Sequence, residues 1–227
     1  ATHWMHTGPT RWDKRSRAWV TDRAGEVAVS GRGAFVPRSV VRFPQIADGL
    51  SNTILAGEIA SDLGDRDKRT TASLLNPWAM IHDTPTLCES QLESDRPMFW
   101  STAENGCPSG FGREDQKRGF RWADGAALYT GFNTILPPNR ESCLAGGGSG
   151  IGVVSVSSRH QDGAHVLMGD GAVIFLTDSI DSGDPTIGTV MLGGIGPRAP
   201  ESPSPYGLWG ALGTRSQSEP IEEHLNQ

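Results

Sequence analysis

The sequence of 227 residues has no long apolar run, which excludes a membrane-spanning helix within it. Such a helix needs about 18 or more consecutive apolar residues. The most apolar stretches, 166–168 and 172–176, have only the length of strands. The chain also begins at Ala1 without the basic, apolar and small-residue pattern of a signal peptide. We therefore expect the chain as given to be soluble and an upstream segment to have been removed.

Cysteine is scarce, with only Cys88, Cys107 and Cys143 and no C-x-x-C pair. This spacing excludes a zinc cluster or a thioredoxin-type site. The simplest count is one disulfide and one odd thiol, and the sequence leaves the pairing open. A structural disulfide is expected if the protein is exported, because oxidising compartments preserve such bonds.

Turn-forming residues are abundant, with 29 glycines and 15 prolines making up about a fifth of the chain. This composition favours strands joined by many turns over a helical bundle. We predict a single mostly β or α+β globular domain over residues 1–227. It has a long irregular excursion at 61–118 and an acidic tail at 216–227.

Charge is unevenly distributed around a net value of −6. Residues 1–42 carry eight Lys or Arg against three Asp or Glu, whereas residues 160–227 carry two against nine. The acidic total argues against non-specific nucleic-acid binding. Opposite charge at the two ends suits head-to-tail subunit contacts or docking on another protein.

The excursion at 61–118 starts with a stretch, 61–70, in which six of ten residues are charged. This pattern predicts a solvated loop, and the remaining residues look irregular. A long excursion of this kind is either a binding surface or a flap that covers the domain. By contrast, residues 163–168 and 172–176 predict a C-terminal β-hairpin, because Asp170-Gly171 between them suits a tight turn.

Several segments carry motif residues in a fixed order. His160 is followed after nine residues by Asp170-Gly171, and an earlier segment contains Asp48-Gly49, Ser51-Asn52 and Glu58. Further matches lie at 121–125, at 132–139 with Cys143, and at 209–215. Together they resemble a planctomycete-type family of pseudopilin-like proteins of unknown function that carries an H-x9-DG motif.

The resemblance implies a prepilin-like N-terminal helix, which this chain lacks. It also implies an exported protein of the periplasm or cell surface that associates with the membrane through that missing helix or through a partner. The expected partners are copies of the same chain in a filament or the subunits of a membrane complex.

His160 and Asp170 are open to two interpretations. A hairpin could bring them together as a pH-sensitive or metal-supporting pair. Turn and capping roles explain them more simply, and we favour that interpretation. His165, five residues after His160, does not match the helical i, i+4 spacing of H-E-x-x-H, so we do not expect a zinc enzyme.

Asp178, Asp181 and Asp184 form an oxygen-rich loop after the hairpin. Major pseudopilins as a class use calcium in a C-terminal loop, so the resemblance makes these residues the candidate calcium ligands. A solvated loop is the simpler interpretation, and no other cofactor is expected.

The sequence shows no nucleophile motif, and we predict that the protein is not an enzyme. Its tryptophans leave one alternative open, since Trp78, Trp100 and Trp122 lie in or beside the excursion and could stack on sugar rings. We favour the interpretation that these tryptophans are core residues or interface anchors. We therefore predict a non-enzymatic structural or interaction subunit. The alternative is an extracytoplasmic module that binds carbohydrate or another solute through residues 61–118.

Overall fold

Short strands and helices alternate with long stretches of irregular backbone. The computed structural model describes residues 11–21, 24–37, 39–102, 110–219 and 221. The strands are β1 (Arg11–Asp13), β2 (Ala18–Val20), β3 (Ile54–Gly57), β4 (Cys143–Leu144), β5 (Gly152–Val153), β6 (Gly163–Met168) and β7 (Val173–Thr177). The α-helices are α1 (Ala24–Ser30), α2 (Trp78–Asp83) and α3 (Gly207–Leu212). Single 3₁₀ turns lie at Phe43–Gln45, Leu50–Asn52, Leu87–Gln91 and Gly196–Arg198. The few helices and small antiparallel sheets confirm the expected mostly β or α+β class.

The main sheet has three antiparallel strands in the order β3-β6-β7. The predicted hairpin is confirmed as β6 and β7, and Gly171 in their turn has a φ of 94°, a conformation that favours glycine. Side chains alternate between the two faces. Val166 and Ile174 on the inner face pack with Trp209 and Leu212 of α3 in a buried cluster.

A β-bulge interrupts the pairing of β3 with β6. Ile54 pairs with Met168, but Ala56 rather than Leu55 pairs with Leu167. The extra residue shifts the rest of β3 by one position relative to β6. Bulges of this kind re-aim the side chains that follow them, and here the residue affected next is Glu58.

The region 61–118 forms part of the core and is not a solvated excursion. Ile81, Cys88 and Trp100 from this region are buried in one cluster with Ile135 and Cys143. A disulfide joins Cys88 to Cys143, with 5.9 Å between their Cα atoms. Cys107 lies outside the described residues. Some apolar side chains of this segment thus face the interior, whereas Trp78 and Met80 are exposed.

The prediction of a solvated loop at 61–70 also fails in its second half. Asp67 and Lys68 are buried. The Arg69 guanidinium donates to both carboxylate oxygens of Asp67, with Nη2 to Oδ2 at 2.6 Å. Burial of Asp67 is tolerated because its charge and hydrogen bonds are satisfied locally, whereas burial lowers the pKa of Lys68. Charge count alone does not reveal such pairing.

Arg118 is a buried cation that no carboxylate neutralises by direct contact within the described residues. Its guanidinium donates four hydrogen bonds to backbone carbonyls: those of Ala127, Leu128, Gly131 and Ser155, at 2.7–3.2 Å. Burial lowers the pKa of Arg118 to about 10. The side chain joins the loop at 126–131 to the segment at 153–158.

The oppositely charged parts of the sequence are neighbours in space. Arg32 Nη2 donates to the Pro200 carbonyl at 2.7 Å, and Arg215 Nη1 donates to the Gly33 carbonyl at 2.6 Å. Part of the basic segment therefore packs on the acidic one within the same chain. The charge difference along the sequence does not correspond to a separation of these segments in the molecule.

None of the helices in the described ranges has both the length and the apolar character needed to cross a membrane.

Removing the disulfide should destabilise the protein. The loop that it closes spans 55 residues, for which the chain-entropy model gives about 4 kcal/mol. The double variant Cys88→Ala/Cys143→Ala should lose this amount in urea unfolding, while Cys107→Ala serves as the control. Non-reducing peptide mapping that links Cys107 to either of the other cysteines would contradict the assignment.

Replacing Arg118 should be more damaging than replacing an exposed arginine. Arg118→Met leaves four carbonyls without their donors, and we expect a loss of about 3 kcal/mol or more. Arg113→Met, on the surface, should change stability by less than about 0.5 kcal/mol. Denaturant unfolding of both variants measures the difference. Equal stabilities would show that the guanidinium is not needed.

Candidate functional site

The motif residues identified in the sequence fall into two groups in space. The first group fixes the C-terminal segment. The Asp48 carboxylate accepts the backbone N–H groups of Gln217 at 2.9 Å and Ser218 at 2.7 Å. Its own backbone N–H donates to the Arg215 carbonyl at 3.1 Å. The start of the predicted acidic tail is therefore docked on the domain.

The residues after Asp48 complete this attachment. Gly49 has a φ of 97°, which favours glycine. Asn52 Nδ2 donates to the Asp48 carbonyl at 3.0 Å, and the Thr53 hydroxyl approaches the Thr214 carbonyl at 3.3 Å. Ser51 is exposed. This group of motif residues is explained by local backbone geometry and packing.

The second group is a cluster of Glu58, His160 and His165 on the solvent side of the main sheet. Glu58 Oε1 lies 3.5 Å from His160 Nε2, and Glu58 Oε2 lies 3.3 Å from His165 Nδ1. One potential ligand atom from each residue lies within 4.8 Å of the other two. The two imidazole rings meet edge to face, with centroids 5.0 Å apart.

The backbone brings these three residues together. Glu58 directly follows β3, and after the bulge its N–H donates to the His165 carbonyl at 3.1 Å. His165 lies in the middle of β6. His160 precedes β6 in a turn that contains Asp162 at a φ of 58°. The chain reversal there places the His160 ring beside that of His165.

Hydrogen bonds favour the ionised form of Glu58. Partial burial opposes ionisation, but the backbone N–H of His165, donating to Oε2 at 2.8 Å, the His165 ring and the Ser158 side chain outweigh it. Together they hold the pKa of Glu58 below its usual value. Phe175 on β7 lies beside both rings, with centroids at 5.1 Å from His165 and 6.4 Å from His160.

His160 and Asp170 are not a pair, so that interpretation is wrong. Asp170 follows the far end of β6, and a six-residue strand is roughly 16–20 Å long. Asp170 Oδ1 instead accepts the Ala172 N–H at 3.0 Å, which is the turn role. The partner of His160 is Glu58.

Sequence reasoning assigned no chemical role to Glu58 and set His165 aside. It tested histidine spacing against the helical i, i+4 rule, whereas His165 lies on a strand. On a sheet, the relevant neighbours are across the strands. A signal was available, because Glu58 directly follows the apolar residues 54–57 and His165 lies within the predicted hairpin.

The candidate calcium loop does not gather its carboxylates. Asp178 accepts from Asn139 Nδ2 at 2.8 Å, Asp181 from the Gly183 N–H at 2.9 Å, and Asp184 from the Thr186 N–H at 2.9 Å. Asp184 thus stabilises its own turn, whereas Asp178 contacts a distant segment and Asp181 also accepts the Leu208 N–H. Within the part of the chain that is described, the three do not converge on one point, so the calcium assignment is wrong in this form.

The three candidate tryptophans do not form a platform. Trp100 is fully buried, and its Nε1 donates to the Thr71 carbonyl at 2.8 Å. Trp78 begins α2 and Trp122 lies in a loop, both exposed. No ring contact joins these two within the described residues. A sugar could not reach Trp100 without unfolding the core around it.

Apolar residues share the solvent side of the main sheet with the cluster of Glu58, His160 and His165. Val173 is 64% exposed, Phe175 41% and Leu167 36%. Leu167 pairs with Ala56 on one side and Val173 on the other, so the three form a row across the strands. An antiparallel sheet with one solvated face normally carries polar residues there. We refer to Ala56, Leu167, Val173 and Phe175 as the outer face.

A cleft of about 770 Å³ runs beside β3. Its walls come from residues 33–37, 39–41, 54–57 and 130–134, with Gly125 and Gly213. Phe35 and Val40 are the most exposed of its apolar side chains. Because Ala56 belongs both to this cleft and to the outer face, the two apolar surfaces are continuous.

The sequence matches the model of one protein family over residues 4–183, about four fifths of the chain. The chain belongs to this family, SBP_bac_10, which is described as a protein of unknown function (DUF1559). No curated protein and no solved structure matches the chain.

The pH dependence of stability should reveal the ionised state of Glu58. Because folding lowers its pKa, the ionised group stabilises the fold above the unfolded-state value, and this contribution disappears as the pH falls through the folded-state value. Urea unfolding between about pH 5 and pH 3 should therefore show a smaller loss of stability for Glu58→Gln than for the wild type. Glu114→Gln, at an exposed loop position, should follow the wild type. Parallel curves for all three proteins would contradict the prediction.

Proposed function

We propose that this chain is a non-enzymatic, exported subunit that assembles with copies of itself through the outer face of its main sheet. The observation that carries the proposal is the row of exposed apolar residues across β3, β6 and β7. Exposed apolar surface of this kind commonly marks an interaction site. The pseudopilin-like resemblance supports the same role at the cell envelope.

Self-association fits the shape of this surface. Two copies related by a twofold axis could place their outer faces together, as sheets do in a sandwich. Phe175 and Val173 would then be covered, as the inner-face residues already are. The adjoining cleft offers further apolar area at the edge of this contact.

The disulfide supports export. A bond between two fully buried cysteines is typical of proteins that fold in an oxidising compartment. The periplasm or the cell surface is therefore the location that we propose. Docking on subunits of a larger envelope complex would use the same outer face.

Ligand binding at residues 61–118 has less support. Its central candidate, Trp100, is a core residue, and the described cleft lies elsewhere and contains no tryptophan. A relatively open apolar surface continuous with a sheet face is more typical of protein contact than of a sugar site.

Sedimentation velocity over a range of concentrations tests the proposal. The disulfide-intact protein should show a mass that rises with concentration. Val173→Lys should weaken this association at least about tenfold, because it places a charge in the contact. Ile195→Lys is the matched control, since Ile195 is 85% exposed and lies outside the sheet.

Two outcomes would contradict assembly through the outer face. The wild type could remain a monomer at every concentration, or Ile195→Lys could weaken association as much as Val173→Lys. Circular dichroism of each variant would establish that the fold is retained.

A further inference from the structure

We infer that Glu58, His160 and His165 form a binding site for a divalent transition-metal ion of the Zn²⁺ class. The inference does not rest on the proposed assembly, although the cluster lies on the same side of the sheet as the outer face, beside Phe175. It rests on the separations of the donor atoms, on their chemistry and on the way the backbone holds them.

Each histidine offers a ring nitrogen close to a carboxylate oxygen of Glu58. Ligands around a tetrahedral Zn²⁺ at about 2.1 Å from the ion lie about 3.4 Å from each other. Glu58 Oε1 to His160 Nε2 is 3.5 Å and Glu58 Oε2 to His165 Nδ1 is 3.3 Å, so each imidazole faces a different carboxylate oxygen. One donor atom from each residue lies within 4.8 Å of the other two.

The donor types select the class of ion. Two imidazole nitrogens and one carboxylate oxygen suit Zn²⁺ and its first-row neighbours. Ca²⁺ and Mg²⁺ prefer ligand sets made of oxygen atoms. Two histidines within one three-residue cluster therefore argue against the alkaline-earth ions.

The backbone fixes the carboxylate before any ion arrives. The His165 N–H donates to Glu58 Oε2 at 2.8 Å, while the Glu58 N–H donates to the His165 carbonyl at 3.1 Å. These reciprocal bonds hold the two ligands in register across β3 and β6. Such supporting hydrogen bonds orient ligands and raise metal affinity.

The bulge in β3 is needed for this arrangement. With regular pairing from Ile54 opposite Met168, Gly57 would lie opposite His165. The extra residue places Glu58 there instead. The geometry of the cluster thus depends on this bulge.

The site is open to solvent on one side. The side chains of Glu58, His165 and His160 are 36%, 38% and 58% exposed. Three protein ligands leave further coordination positions for water or for a group from another molecule. We therefore expect an exchangeable ion.

Metal titration of the full, disulfide-intact chain tests the inference. Co²⁺ is added at pH 7.5 and its visible absorption is recorded, and Zn²⁺ is then used in competition. The wild type should bind one ion per chain with a four-coordinate spectrum. His160→Ala should weaken binding at least about tenfold, because one of three ligands is lost.

Matched variants separate this site from other histidines. His3, His6, His82 and His224 remain in every variant, so weak binding elsewhere is common to all. Asp170→Asn, at the other end of the same hairpin, should bind as the wild type does. His165→Ala and Glu58→Gln should both weaken binding, and circular dichroism checks that each is folded.

The inference is overturned if the wild type takes up no Co²⁺ or Zn²⁺ under these conditions. It is also overturned if His160→Ala and Asp170→Asn bind both ions with the same affinity. Metal titration tests the binding site, and sedimentation velocity tests the assembly. A negative result in one measurement therefore does not decide the other.

Discussion

Much of this structure depends on buried side chains that donate hydrogen bonds to irregular backbone, and Arg118 is the clearest example. Long stretches of the described chain lie outside helices and strands, so their carbonyls have no ladder partners. An unsatisfied buried carbonyl costs about 1–3 kcal/mol. The Arg118 guanidinium donates hydrogen bonds to four such carbonyls. Trp100 and Trp209 act in the same way, with indole N–H groups that donate to the carbonyls of Thr71 and Leu136.

This mode of stabilisation explains where sequence reasoning succeeded. The hairpin of β6 and β7 could be predicted because its alternation and its Asp170-Gly171 turn are local. The class of fold followed from composition, since abundant glycine and proline favour turns over long helices.

The same dependence on contacts between distant segments explains where sequence reasoning failed. Asp67 and Arg118 look like solvated charges in sequence, but they are buried because each finds partners in its own turn or far along the chain. The core of the 61–118 region depends on contacts with residues beyond 130, which no local pattern reveals. The Glu58–His160–His165 cluster arises from strand register and from one bulge, and register is set only when the sheet forms.

The pairing of β3 with β6 also bears on how the chain folds. Ile54 and Met168 are neighbours in the sheet although more than a hundred residues separate them in sequence. Closing so long a loop has an entropic cost that few contacts offset until the sheet is complete, so folding should be slow compared with that of helical proteins. A nascent chain cannot form this sheet until β6 has been synthesised.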